Sequence, residues 1–217
     1  MTQEEKLYGA LDEFLKRLKK KIKQVFAPLY VSGFDQLNII MLNRQTAEMY
    51  SELDDYNRKA YRQLAEHARA WAYEVMGKDM KKKDMSDLVN QYLKWYDPVT
   101  QYVYVKEVDR KRMRLNESIL AAREYQELEK LQKSVKKAAD LWYTQSSQYA
   151  IDIMDQALTI AFLEEDEDDF VFFRWNTQQD EKVCEICGAR DGQVYEADSY
   201  PTKPHYGCRC YKTPVKR

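Results

Sequence analysis

Residues 174–217 read RWNTQQDEKVCEICGARDGQVYEADSYPTKPHYGCRCYKTPVKR. All four cysteines of the chain lie here: Cys184 and Cys187 as a CxxC pair, Cys208 and Cys210 as a CxC pair, with His205 just upstream. A tetrahedral ion such as zinc takes four thiolate or imidazole donors. A CxxC turn offers two thiolates from one tight knuckle. Side chains two residues apart on an extended chain point the same way, so Cys208 and Cys210 can reach one ion. Gly188 follows the knuckle, where backbone freedom is expected. The spacing therefore predicts one zinc per chain, held by Cys184, Cys187, Cys208 and either Cys210 or His205. Two other readings compete: four reduced, buried thiols without metal, or two disulfides. A segment this short has little core of its own, which favours a staple.

Working outward, VFFRWNT at 171–177 reads as a strand. Before it, the acid run 164–169 reads as a solvated hinge. Upstream the periodicity is helical. A first helix is expected over about 2–26, with Leu7, Leu11, Phe14, Leu18, Ile22 and Val25 on one face and Pro28 beyond its end. A second helical run spans about 35–77, either broken near 51–55 or forming one rod. A short helix follows over about 85–95, then a DPVT turn at 97–100 and a brief strand over 102–105. A last run spans about 110–163, with a break expected in its Ser- and Gln-rich stretch at 144–148. The fold class is α+β, mainly α: long helices followed by a small Cys-rich module containing β structure. The expected division is 1–100 (helical N-terminal region), 101–168 (long helical region) and 169–217 (Cys-rich, zinc-stapled module).

Composition narrows the function. The 217 residues carry 35 Lys+Arg against 36 Asp+Glu, a net charge of -1, which argues against a supercharged DNA binder. Gly and Pro number 6 and 5, too few for a collagen-like or long disordered chain. No apolar run is long enough for a membrane span, and the acidic start MTQEEKLYGALDEF does not read as a signal peptide. Synthesis in a cytosol is expected, where clustered cysteines read as metal ligands before disulfides.

The order strand-with-Trp, Asp180, Cys184, Cys187, Asp191-Gly192, Pro204, His205, Cys208-Arg209-Cys210 resembles the C-terminal signature of the phage minor head proteins, the Mu F-like head morphogenesis family, on its SPP1-like branch. A looser likeness begins near Arg110, in KRMRLNESI. The resemblance implies a non-enzymatic virion component. It would sit inside the capsid near the portal, with the portal protein and other head proteins as partners, and would act in head assembly and in packaging or ejection of DNA.

Three further expectations follow. Lys19, Lys20, Lys23, Arg110, Arg112 and Arg114 form basic patches able to touch packaged DNA without sequence preference. Leu7, Leu11, Phe14 and Leu18 form a stripe able to dock on a partner such as the portal. Arg209, between two ligands, is expected to pair with Asp180 or Asp191. The enzyme rival is a treble-clef-like, metal-dependent nuclease, with His205 as base and Asp191 or Asp198 on the metal. Against it stands the short step from His205 to Cys208. The other rival is a metal-stabilised scaffold with a different partner. His67, in LAEHARAWAY, reads as structural.

Overall fold

No proline or glycine interrupts residues 42–76, and Asp54 and Arg58 pair one turn apart at 2.9 Å. The rod alternative is therefore realised for this run. A computed structural model describes residues 3–80, 83–95, 104–164, 172–177, 183–205 and 207–215. Its helices are α1 (Gln3–Phe26), α2 (Leu42–Met76), α3 (Ser86–Trp95), α4 (Tyr104–Glu124), α5 (Leu128–Glu164) and the short α6 (Glu185–Arg190). Single 3-10 turns at Ala27–Leu29 and Phe34–Gln36 lie between α1 and α2, the first opened by Pro28. Gly77 ends α2 at φ 66, with the Lys78 N–H donating to the Tyr73 carbonyl at 3.1 Å. Asp84 caps α3 by accepting the Ser86 N–H at 2.8 Å.

Strands β1 (Phe172–Asn176), β2 (Val194–Glu196) and β3 (Tyr211–Val215) form an antiparallel sheet in the order β2-β1-β3. In register, Phe173 faces Tyr195 on one side and Pro214 on the other. The protein is thus α+β and mainly α, as the periodicity indicated.

Two local expectations need correction. The break in the last long run lies at 125–127, not 144–148. Gln126 takes φ 55, and the Glu127 N–H donates to the Ala122 carbonyl at 2.8 Å, closing α4 without a glycine. At 144–148 the side chains of Thr144, Ser146 and Gln148 find partners and leave the helix ladder intact. The Thr144 hydroxyl donates to the Asp140 carbonyl at 2.9 Å, and the buried Ser146 hydroxyl accepts from the Asn57 amide at 2.8 Å. Tyr104 and Val105 begin α4 and are not strand. Tyr102, Val103, the DPVT turn and residues 165–169 lie outside the described residues.

Packing groups the chain into two compact units. One comprises Met1–Asp12, Tyr61–Leu88 and Ser147–Arg217, the other Glu13–Ala60 and Val89–Ser146. The second has an aromatic core: Phe26 meets Tyr50 edge-on at 6.0 Å, and Tyr50 meets Trp142 at 5.3 Å. The first joins β1 and β3 to helical side chains, with Phe162 against Phe173 at 5.8 Å and Trp71 edge-on to Tyr211 at 5.8 Å. The sequence division at 100 and 168 follows chain order. The packing instead places the Cys-rich segment in one unit with the start of α1 and parts of α2 and α5.

The α1 stripe also needs correction. Leu7, Leu11 and Leu18 are fully buried and Phe14 is 2% exposed, so these side chains belong to the chain's own core. A free helix would expose such a stripe. Here Phe14, for example, is already stacked on Tyr56 at 6.4 Å. No exposed seam built from these four residues remains for a partner.

In the first unit the side chain of Arg69, 4% exposed, pairs with Glu164, which also pairs with Lys83. Burial raises the Glu164 carboxyl, but hydrogen bonds from Lys83 and Arg69 outweigh it and hold the group below its ordinary value. Glu164→Gln should destabilise the protein by about 1–3 kcal/mol, because it leaves a buried guanidinium with a weaker partner. Thermal melting checks this. The parent's advantage should be full above the unfolded carboxyl pKa, about 4.3, and vanish as the pH falls through the depressed folded value.

Candidate metal centre

Cys184 immediately precedes α6 and acts as its N-cap. Its Sγ accepts the Cys187 N–H at 3.4 Å, so the knuckle points a backbone dipole at a sulfur. The chain then turns at Gly192, φ 75, and returns along β1 as β2. The Gly192 N–H donates to the Trp175 carbonyl at 2.8 Å, and the Trp175 N–H to the Gln193 carbonyl at 2.8 Å. Gly188 itself lies inside α6 with no left-handed φ; the left-handed glycines of this segment are Gly192 and Gly207. Gly207, at φ 72, turns the HxxC step so that the Cys208 N–H reaches the His205 carbonyl at 3.4 Å. The Gly207 N–H donates to the Gln148 amide oxygen on α5 at 2.7 Å, which ties the turn to the helix.

The five candidate donors converge. They form two groups that share Cys187: Cys184, Cys187 and His205, and Cys187, Cys208 and Cys210. Within each group the ligand atoms lie within 4.8 Å of one another. The Cys187 and Cys208 sulfurs are 3.6 Å apart, and His205 Nε2 lies 3.9 Å from Cys187 Sγ. Two thiolates on one tetrahedral zinc stand about 3.8 Å apart. The Cys187–Cys208 spacing matches that value, and each group brings three donors within reach of one ion, while a fourth must close in from the other group. Cys187, Cys208 and Cys210 are buried, Cys184 is half-buried and His205 is exposed.

Electrostatics point the same way. Thiol donation from Cys210 holds Cys208 down to about 5. Burial pushes Cys187 up to about 12. Donation to Cys208 and burial push Cys210 up as well. Among the three buried thiols, ionisation of Cys208 therefore disfavours a second charge on Cys187 or Cys210 beside it. A divalent ion removes that restraint and lets the remaining thiols ionise.

Aromatic side chains wall the site, a feature the cysteine spacing did not reveal. Trp175 packs with the three buried cysteines, and its ring stacks on Tyr200 at 5.5 Å. Two residues from the other end of the chain also contribute. The Tyr8 hydroxyl lies 3.5 Å from the Cys210 carbonyl, and Asp12 receives Arg209 at 3.3 Å. Arg209 also lies over the Tyr8 ring at 4.9 Å. Arg209 thus pairs with an acid, but with Asp12. Asp191 accepts the Thr177 N–H at 2.8 Å, and Asp180 lies outside the described residues. Neither Asp191 nor Asp198 joins the donor groups found among the described residues. His67 is structural, its Nε2 2.8 Å from the Lys6 carbonyl.

The comparisons add one finding. Residues 109–213 match the family model described as Phage Mu protein F like protein, a phage head morphogenesis family. Residues 109–213 are similar to that family. The Mu F-like segment covers most of α4, all of α5, and the sheet module as far as Thr213, so every candidate ligand lies within it. No curated protein and no solved structure matches the chain.

The basic residues outside the module are placed unevenly. Lys19, Lys20 and Lys23 are exposed on α1, and Arg114 is exposed on α4. Arg110 is paired with Glu107, and Arg112 with Asp109 at 3.5 Å and with the Asn43 amide oxygen. The guanidiniums of Arg110 and Arg112 are therefore already engaged. Among the described residues, no helix is long and apolar enough to cross a membrane.

In chelator-treated protein, Cys184 should alkylate faster than Cys187 or Cys210, because it is the more exposed and its thiol is lowered by the Cys187 N–H. Peptide mapping after a short pulse of iodoacetamide reads the order. Equal labelling of all three would contradict this picture of the site.

Proposed function

We propose that this protein is a non-enzymatic minor head protein of a phage, associated with the portal and stapled by one zinc. The carrying observation is the Mu F-like match over 109–213, which takes in the whole cysteine centre. The family supports a virion component and head proteins as partners. Portal attachment, and a part in DNA packaging or ejection, are our extension of that reading. So is weak, sequence-independent contact with packaged DNA through Lys19, Lys20, Lys23 and Arg114, which should weaken steeply with salt. With Leu11 and Leu18 in the core, substitutions there would test folding and not docking. The direct test is mass spectrometry of purified proheads and virions. The chain should be present in few copies, at a fixed ratio to the portal; its absence from both particles would refute the proposal.

Zinc is the ion we assign to the centre, by its donor chemistry: four sulfurs and an imidazole in two groups that share Cys187, three of the sulfurs buried. When bound, it supplies charge and a cross-link that holds α6 against the loop before β3. The chain's own part is to present the thiolates and exclude water with Trp175 and Tyr200. Elemental analysis of protein purified without added metal should find about one zinc per chain. Cys208→Ser should abolish it. Because Tyr8 and Asp12 touch the same loop, limited proteolysis of that variant should cut both the cysteine module and the start of α1. Unchanged zinc content and an unchanged cleavage pattern would rule the staple out.

A further inference from the structure

Lys111 is buried, at 8% exposure, yet among the described residues no carboxylate lies within 4 Å of its Nζ. Its ammonium sits over the Trp142 ring at 5.2 Å. The nearest acidic influence is Glu107, whose carboxylate is already paired with Arg110. A buried ammonium without a carboxylate costs free energy that a well-packed apolar side chain would not.

Lys111 lines a cavity of about 420 Å3 in the unit that holds α4. Arg114 follows on the same helix, and Lys137 and Ser134 come from α5. Glu117 is the one carboxylate among the lining residues, so the cavity carries an excess of positive charge. The Ser118 hydroxyl donates to the Arg114 carbonyl at 2.8 Å and is spent. The Ser134 hydroxyl makes no hydrogen bond among the described residues and is available to donate.

We propose that this α4–α5 groove is a phosphate-binding site, with Lys111 as its buried anchor and Arg114, Lys137 and Ser134 as the remaining donors. Two ammoniums, a guanidinium fork and a hydroxyl suit an anion with several acceptor oxygens and more than one charge. Burial lowers the Lys111 ammonium to about 8, and a bound dianion beside it would restore the charged form. The phosphate belongs either to a nucleic-acid backbone or to a free phosphate compound. The inference does not rest on the virion reading, and either can fail alone.

The test is thermal unfolding of the full chain in pyrophosphate and in chloride at matched ionic strength. The parent should melt higher in pyrophosphate. Lys111→Met should fold and keep its melting temperature in chloride, since an apolar side chain of similar volume replaces a buried charge. It should bind pyrophosphate about tenfold or more weakly, as expected for loss of a charged hydrogen bond. If that variant does not fold, Lys137→Met with Ser134→Ala, changed at less buried positions, should show the same weakening. A short DNA duplex that displaces pyrophosphate from the parent assigns the site to a nucleic-acid backbone. Failure to displace it assigns the site to a free phosphate compound. No stabilisation beyond chloride, or the same stabilisation in parent and variants, overturns the proposal.

Discussion

Several thiols in one small, largely buried volume cannot all carry charge. Cys187, Cys208 and Cys210 are buried together, and only Cys208 is held down as a thiolate. Burial and the neighbouring thiols push Cys187 and Cys210 up, so each disfavours the charged form. The sheet module around them is slight: three strands, one of three residues, and a six-residue helix. Its core beyond the sulfurs is Trp175, with Val183, Tyr195 and Tyr200 packed half-buried against it. A divalent ion would resolve the charge conflict and join the two halves of the module in one step.

The module is also braced from the helical side within its own unit. Lys212 on β3 donates to the Thr159 hydroxyl at 2.8 Å and lies 3.5 Å from Asp155, which Lys203 approaches at 3.6 Å. Gln148 receives the Gly207 N–H and donates to Asp152 at 2.7 Å, so one amide serves both the turn and the helix. Arg209 turns away from the sulfurs and pairs with Asp12. Each contact is polar and half-buried or deeper, so each adds direction more than raw stability. Together they fix the loop that carries His205, Cys208 and Cys210.

The other unit handles polarity differently. The Asn57 amide donates to the Ser146 hydroxyl inside it, and Arg110 and Arg112 pair with acids of their own helix. Lys111 is the exception, a buried cation facing an aromatic ring and an open groove. Where neighbouring charges are paired this consistently, an unpaired one is informative.

The sequence alone determined the helical character, the strand at 172–176 and the five candidate donors that the fold brings into two neighbouring groups, because periodicity and ligand spacing are local properties. It also carried the resemblance to the Mu F-like family, which the match over 109–213 supports at family level without its SPP1-like branch. Four things were decided only by the tertiary structure. One is the break at Gln126, where a non-glycine residue takes a left-handed conformation that no local signal marks. Another is the continuity of α5 through 144–148, where Asn57, far away in the chain, satisfies a serine that would otherwise favour a break. A third is the fate of the α1 stripe: the same pattern of leucines serves a docking seam or a core, and only packing chooses between them. The last is the pairing of Arg209 with Asp12, an acid nearly the whole chain away, because electrostatic partners are selected by distance in space and leave no trace in local spacing.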